Sequence, residues 1–195
     1  MTGTDAAGTS TLRTGLQEWA ACCRVLAAGR GMLMVRKGGI HERGGGLFQP
    51  EHDRFLLLPS WLHQARERLK PAHADQVGAD PAPGRIRLEA WAEVAGTWKA
   101  GDLARVQALG DELIWSDAEL ATRFAYRGQP WLYVLALRVH RLREPVEIAD
   151  EPSYAGCRSW VPLKVAVDTA GSRPAIDDVA FAARLAAVAR TLESA

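Results

Sequence analysis

The apolar positions of this chain fall into two kinds of rhythm, one of period two and one near 3.6. Alternation is clearest from Arg85 to Trp98, where Ile86, Leu88, Ala90, Ala92 and Val94 face one way and Arg87, Glu89, Trp91 and Glu93 the other. That is the pattern of a half-buried strand. Trp131–Leu142 is the longest strand candidate, and its first half is apolar on both faces, which predicts a central place in a sheet. Met32–Arg36, Phe55–Leu58 and Val161–Val167 read as shorter strands, the first two joined as a hairpin across the glycine-rich stretch Gly38–Gly46.

Helical spacing links Leu12, Leu16, Trp19, Ala20, Cys23 and Ala27, so a first helix is expected over about Thr14 to Ala28, with a capping box of Thr14 and Gln17. Cys23 then lies on the apolar face as packing. Ser60 is expected to cap a short helix through about Leu69, stopped by Lys70-Pro71. Two short helices follow at Leu103–Leu109 and Asp117–Phe124, the second with a capping box in Ser116-Asp-Ala-Glu119. Ile176–Leu192 is an alanine-rich helix with Asp177 and Asp178 at its start. Residues 1–12 read as a disordered tail and 71–84 as a mobile loop inside one domain spanning 13–195. The order of elements is not a regular βαβ alternation. It predicts an α+β fold: a mixed or mainly antiparallel sheet, or a small partly open barrel, flanked by short helices, with the N- and C-terminal helices packed outside.

Composition narrows the function classes. With 195 residues, 48% of them hydrophobic, and a formal net charge of +1, the chain can bury a real core but carries no global field toward polyanions. Any nucleic-acid binding must come from a local patch. No run approaches the ~20 apolar residues of a membrane helix. Three cysteines, two of them adjacent, do not make a disulfide framework, and a cytoplasmic location is expected.

Chemistry concentrates between residues 35 and 64. Arg36, Lys37, Glu42, His52, His63 and Gln64 surround one apolar strand and two glycine-rich turns. A shared metal is disfavoured, because extended chain from His52 to Ser60 spans up to ~26 Å and one helical turn recovers only ~5 Å. No lysine follows an acidic residue at the spacing of a restriction-type nuclease core, since Val35, Arg68, Thr97 and Pro162 stand two places before the four lysines. Phosphate-loop, dinucleotide-binding and nucleophile-elbow signatures are absent. Cys157, beside Arg158, is a turn cysteine with a cationic neighbour. No cofactor and no metal are expected.

Two cationic groups remain, Arg36–Lys37 with Arg43 and Arg138–His140–Arg141, together with seven tryptophans, of which Trp61, Trp91, Trp98, Trp115, Trp131 and Trp160 sit near element ends. Cations beside aromatic rims suit phosphate contacts and base stacking. In a binding module, Arg36, Lys37, Arg138 and Arg141 would hold phosphates and Trp61 or Trp115 would stack. His52, His63 and Gln64 would line the pocket. In a small enzyme, Glu42 with His52 or His63 would supply acid–base catalysis on a nucleotide or nucleic acid. In a structural or interaction protein, Glu42 and Glu51 would neutralise Arg36 and Lys37 and no cavity would lie near His63.

Several segments together resemble the bacterial family of unknown function DUF1802. They are Glu18-Trp19-Ala20 with Cys23-Arg24, Arg36 to Ile40 with Glu42, Phe48, His52, Phe55, Pro59 and His63-Gln64. Trp91 to Val94, Ile114-Trp115, Arg123-Phe124, Tyr133–Leu142 with Pro145, and Tyr154 to Cys157 with Ser159-Trp160-Val161 complete the set. Ser60-Trp61 and Ser116 depart from the Thr-Tyr and Thr expected there. The resemblance spans roughly 14–165 and supplies no catalytic residues. It implies a role near restriction or defence systems and a restriction-type nuclease as a partner.

Overall fold

The computed structural model describes residues 10–37, 48, 50–156 and 158–193. Seven strands form one sheet: β1 Thr11–Trp19, β2 Leu33–Arg36, β3 Arg54–Ser60, β4 Arg85–Ala100, β5 Leu132–Ala149, β6 Trp160–Asp168 and β7 Arg173–Pro174. Their order is β2-β5-β4-β3-β1-β6, with the short β7 paired to β5. Every ladder is antiparallel except β1 with β3, whose C-terminal ends come together as Trp19 opposite Ser60. Helices α1 Ala20–Ala27, α2 Leu103–Gln107, α3 Asp117–Ala125 and α4 Asp178–Glu193 flank it. The fold is α+β, as the pattern of elements indicated.

The long alternating stretches become β4 and β5, which pair over nearly their whole length. β5 is an interior strand, and Val134 to Leu137 are buried whichever face they occupy. Ser116 caps α3, accepting from the N–H of Glu119 at 3.3 Å. Asp177 does the same for α4 at Ala180 (2.9 Å).

The N-terminal helix starts later than expected. Thr11–Trp19 is a strand, and the helix is confined to Ala20–Ala27. Thr14 therefore caps nothing. Flanked by β3 and β6, β1 satisfies its backbone groups in ladders, and it runs into α1 without a loop. The N–H of Ala21 in the first turn of α1 is met by Gln64 Oε1 at 2.9 Å. The expected hairpin of Met32–Arg36 with Phe55–Leu58 does not form either. β2 pairs with β5, while β3 lies between β1 and β4. Ser60 ends β3 instead of capping a helix, and only Arg66–Arg68 makes a 3-10 turn. His63, held at φ 60°, interrupts any helix there. Part of the loop expected at 71–84 is a 3-10 segment, Pro71–Gln76, with His73 buried.

The sheet curls far enough for side chains to join its two ends. Arg36, on the edge strand β2, donates to Gln17 O (3.2 Å) and Glu18 Oε2 (2.9 Å) of β1 and to Ser159 Oγ beside β6. Among the described residues no backbone ladder joins β2 to β6, so the sheet is not closed and Arg36 spans the gap. The main core lies around α1, β2, Trp115 and the first half of β5, and a second cluster gathers Leu56, Leu58, Trp91, Leu142, Tyr154 and Val161.

Candidate ligand-binding cleft

The gap spanned by Arg36 opens into a cleft of about 460 Å³. Its floor is the end of β1 (Gln17 to Trp19) with Val35, Arg36 and Lys37. One wall is the segment after β3, with Ser60, His63 and Arg68, and the other is α3, with Glu119, Arg123 and Tyr126. Gly156 and Arg158, just before β6, close the rim. This volume falls within the range of ordinary small-molecule sites.

Five cations, Arg36, Lys37, Arg68, Arg123 and Arg158, line it against two carboxylates, Glu18 and Glu119. Both carboxylates are buried and engaged. Glu18 takes Arg36 on one oxygen and the N–H of Trp19 (2.8 Å) on the other. Glu119 accepts from Arg123 Nε at 2.8 Å and lies 3.6 Å from Arg68 Nε. Arg123 is also pressed on the Trp115 ring, 3.6 Å from its centre. A buried carboxylate beside Arg36, Arg68 and Arg123 fixes each guanidinium at little entropic cost on ligand binding.

Lys37 is built into the frame. Its ammonium donates to the carbonyls of Phe124 (3.3 Å), Gln129 and Trp131 and lies over the Trp131 ring. With all three N–H bonds used, it holds the turn after α3 and presents no donor to a phosphate. Burial, and secondarily Lys99, lower its pKa.

The open donors are others. The Arg68 side chain is 50% exposed, and Arg158 and His63 are exposed at the rim. Tyr126 offers an exposed ring. Among the described residues two other than glycine have positive φ, His63 (60°) and Arg127 (58°), and they stand on either wall or next to it. Strained backbone at a cleft mouth is the kind found where side chains are aimed at a ligand.

Other residues singled out in the sequence lie elsewhere. His52 packs edge-on against Trp160, 4.9 Å between ring centres, and is not in the cleft lining. Gln64 spends its oxygen on α1. Trp61 borders a separate cavity of about 130 Å³ with Cys23 and Leu57, under the Arg24 guanidinium. Trp115 is fully buried, edge-on to Trp19 at 4.9 Å, and has no face to offer a base. Arg138 clamps α4 through Ile176 O (2.7 Å) and Asp178 and lies over Phe181, while Arg141 is exposed on the far half of β5. Glu42 and Cys157 fall outside the described residues. The cleft residues that sequence reasoning missed are Arg68, Arg123, Arg158, Glu119 and Tyr126. Of these, only the Glu119–Arg123 pair had a local signal, its i,i+4 spacing on a capped helix. Among the described residues no group of three or more histidines, cysteines or acids could hold a metal. No described helix is long and apolar enough to cross a membrane.

The family model for the domain of unknown function DUF1802 matches residues 15–187. The chain belongs to the DUF1802 family. That match takes in both ends of the spanned gap and every described lining residue of the cleft. No curated protein matches the chain in sequence. Among solved structures, it is similar to a tyrosine-to-phenylalanine mutant of the ASCH protein of Zymomonas mobilis, with 12% identity, TM-score 0.46, and coverage of 77% of this chain and 89% of that one. The unmutated ASCH protein of the same organism gives 10% identity and TM-score 0.44, with coverage of 89% and 93%.

Proposed function

We propose that this DUF1802 chain is a binding module for a phosphate-bearing nucleotide unit, either free or within a nucleic acid. The observation that supports this reading best is the cleft's excess of arginine over carboxylate, with Arg68 and Arg158 still able to donate outward. In it, Arg68 and Arg158 hold phosphate, Tyr126 supplies a stacking face, and His63 hydrogen-bonds a base edge or sugar. Arg36 and Lys37 shape the cleft without gripping the ligand. A formal net charge of +1 argues for a specific ligand over general polyanion binding. A place beside a restriction nuclease, which the family resemblance implied, is not needed by anything in the cleft.

Acid–base catalysis has less support. Among the described residues His63 has no carboxylate partner, and Glu18 and Glu119 are each committed to arginine.

The test is fluorescence-detected binding of nucleotides and of single- and double-stranded DNA and RNA, at about 50 and about 200 mM salt. Wild type should bind at least one class in a salt-sensitive way, and Arg68→Gln with Arg158→Gln should lose about tenfold or more in affinity. A folded wild type that binds none of them, or a double variant that binds equally well, overturns the reading.

A further inference from the structure

A second cationic site stands on the other half of β5, apart from the cleft. Arg141 on β5 lies directly opposite Arg173 on β7. Arg143 is two residues further along β5, where that strand slips register against β4, and it borders the same recess as Arg141. Its side chain lies across Gly171, where a Cβ would come within 3.6 Å of Arg143 Cδ. The three arginines border one recess, all are exposed, and among the described residues none of them forms an ion pair. Like charges set directly opposite across a ladder destabilise it, so the ribbon would be better served by almost any other residue at Arg173. The acids nearby do not answer the charge. Asp168 accepts from the N–H of Ala170 (2.8 Å), and Glu89, on the neighbouring β4, is paired with Arg87 at 3.0 Å. Glu144 follows Arg143 in the chain but does not border the recess.

We propose that Arg141, Arg143 and Arg173 form a phosphate-binding site. Three planar guanidinium forks bordering one recess from two strands match the several oxygens of a phosphoryl group better than the two of a single carboxylate. A bound phosphate turns the repulsion across the ribbon into attraction. From Tyr133, which pairs with Arg36, to Arg141 the strand runs roughly 26 Å, so a mononucleotide in the cleft cannot reach this site. The site stands whether or not the cleft binds nucleotides. Its phosphate can belong to a nucleic-acid backbone or to a free polyphosphate.

The test uses the full chain and calorimetric titration with pyrophosphate and, separately, with a short single-stranded DNA. The variants are Arg141→Gln with Arg173→Gln at the ribbon and Arg68→Gln with Arg158→Gln at the cleft. Affinity for at least one ligand should fall about tenfold or more in the ribbon variant, and that loss should recur when the ribbon changes are made in the cleft variant. Loss of pyrophosphate binding points to free polyphosphate, and loss for DNA alone to a backbone. The ribbon variant should melt no lower than wild type, because it removes like-charge repulsion. Unchanged affinity for both ligands in the ribbon variant overturns the proposal, and so does binding of a polyglutamate peptide through the same arginines as tightly as the phosphates. Loss in the cleft variant alone would support the cleft and sink the ribbon site.

Discussion

Arg36 on β2 and Glu18 on β1 meet at 2.9 Å, although β5, β4 and β3 lie between their strands in the ladder. With the bonds from Arg36 to Gln17 O and Ser159 Oγ, this ion pair does the work that a backbone ladder does in a closed barrel. Both side chains are almost buried, 13% and 4% exposed, so each depends on the other for its solvation.

Removing only the arginine should therefore be costly. Arg36→Met leaves Glu18 buried and unpaired and should lose about 3–5 kcal/mol in urea denaturation. Adding Glu18→Gln to the same chain should recover much of that loss. Equal stability of the single and double variants would show that the pair is not what joins the two ends.

Trp115 and Tyr126 should separate structure from binding. Trp115→Ala empties a fully buried site and should cost about 3–5 kcal/mol. Tyr126→Ala, at a partly exposed ring, should cost much less stability than Trp115→Ala and should weaken nucleotide affinity. A ligand response that survives Tyr126→Ala intact would remove the stacking role.

Gly29 closes α1 at φ +71°, and a side chain there would overlap the Ala175 carbonyl just ahead of α4. Gly29→Ala should thus cost more than the ~1 kcal/mol of an ordinary left-handed position. Hydrogen exchange should show extra opening in both α1 and α4. Opening confined to α1 would mean the two helices are not braced against each other at this point.

Acid should weaken the fold through two histidines. Burial lowers the pKa of His73, helped by Arg30 and Lys70, and burial lowers that of His140 against the opposing pull of Glu93. A histidine whose folded pKa lies below its unfolded value takes up its proton more readily when the chain is unfolded. Stability is then full above about pH 6.5 and is lost as pH falls through the folded values. His140→Phe, which keeps a ring against Trp91, should flatten that decline in denaturant titrations across the acid range. An unchanged pH profile would remove His140 as a contributor.

Much of the sheet could be read from the chain, because β4 and β5 are long enough for alternation to stand out over their bulges. β1 could not. Its inward positions include the charged Glu18, which breaks the apolar alternation, and Leu12, Leu16, Trp19 and Cys23 happen to continue a helical spacing across the strand–helix junction. The cleft was half legible. Arg36, Lys37 and His63 were found, but their roles were set by residues far along the chain, Glu18 and Ser159 for Arg36 and three carbonyls between 124 and 131 for Lys37. Nothing local to residues 35–64 announces those partners. Arg138 and Arg141 looked alike in sequence and were divided by α4, which covers one and leaves the other bare.

The pairing of β1 with both β3 and β6 also governs how the protein comes into being. Thr11–Trp19 is synthesised well before its antiparallel neighbour, Trp160–Asp168. Between those two points a nascent chain carries one unpaired strand edge and an incomplete cleft. Non-local pairing of this kind slows folding and exposes the edge to other chains. Ligand binding in this architecture can begin only once β6 has been made, since Arg158 and Ser159 arrive just ahead of it.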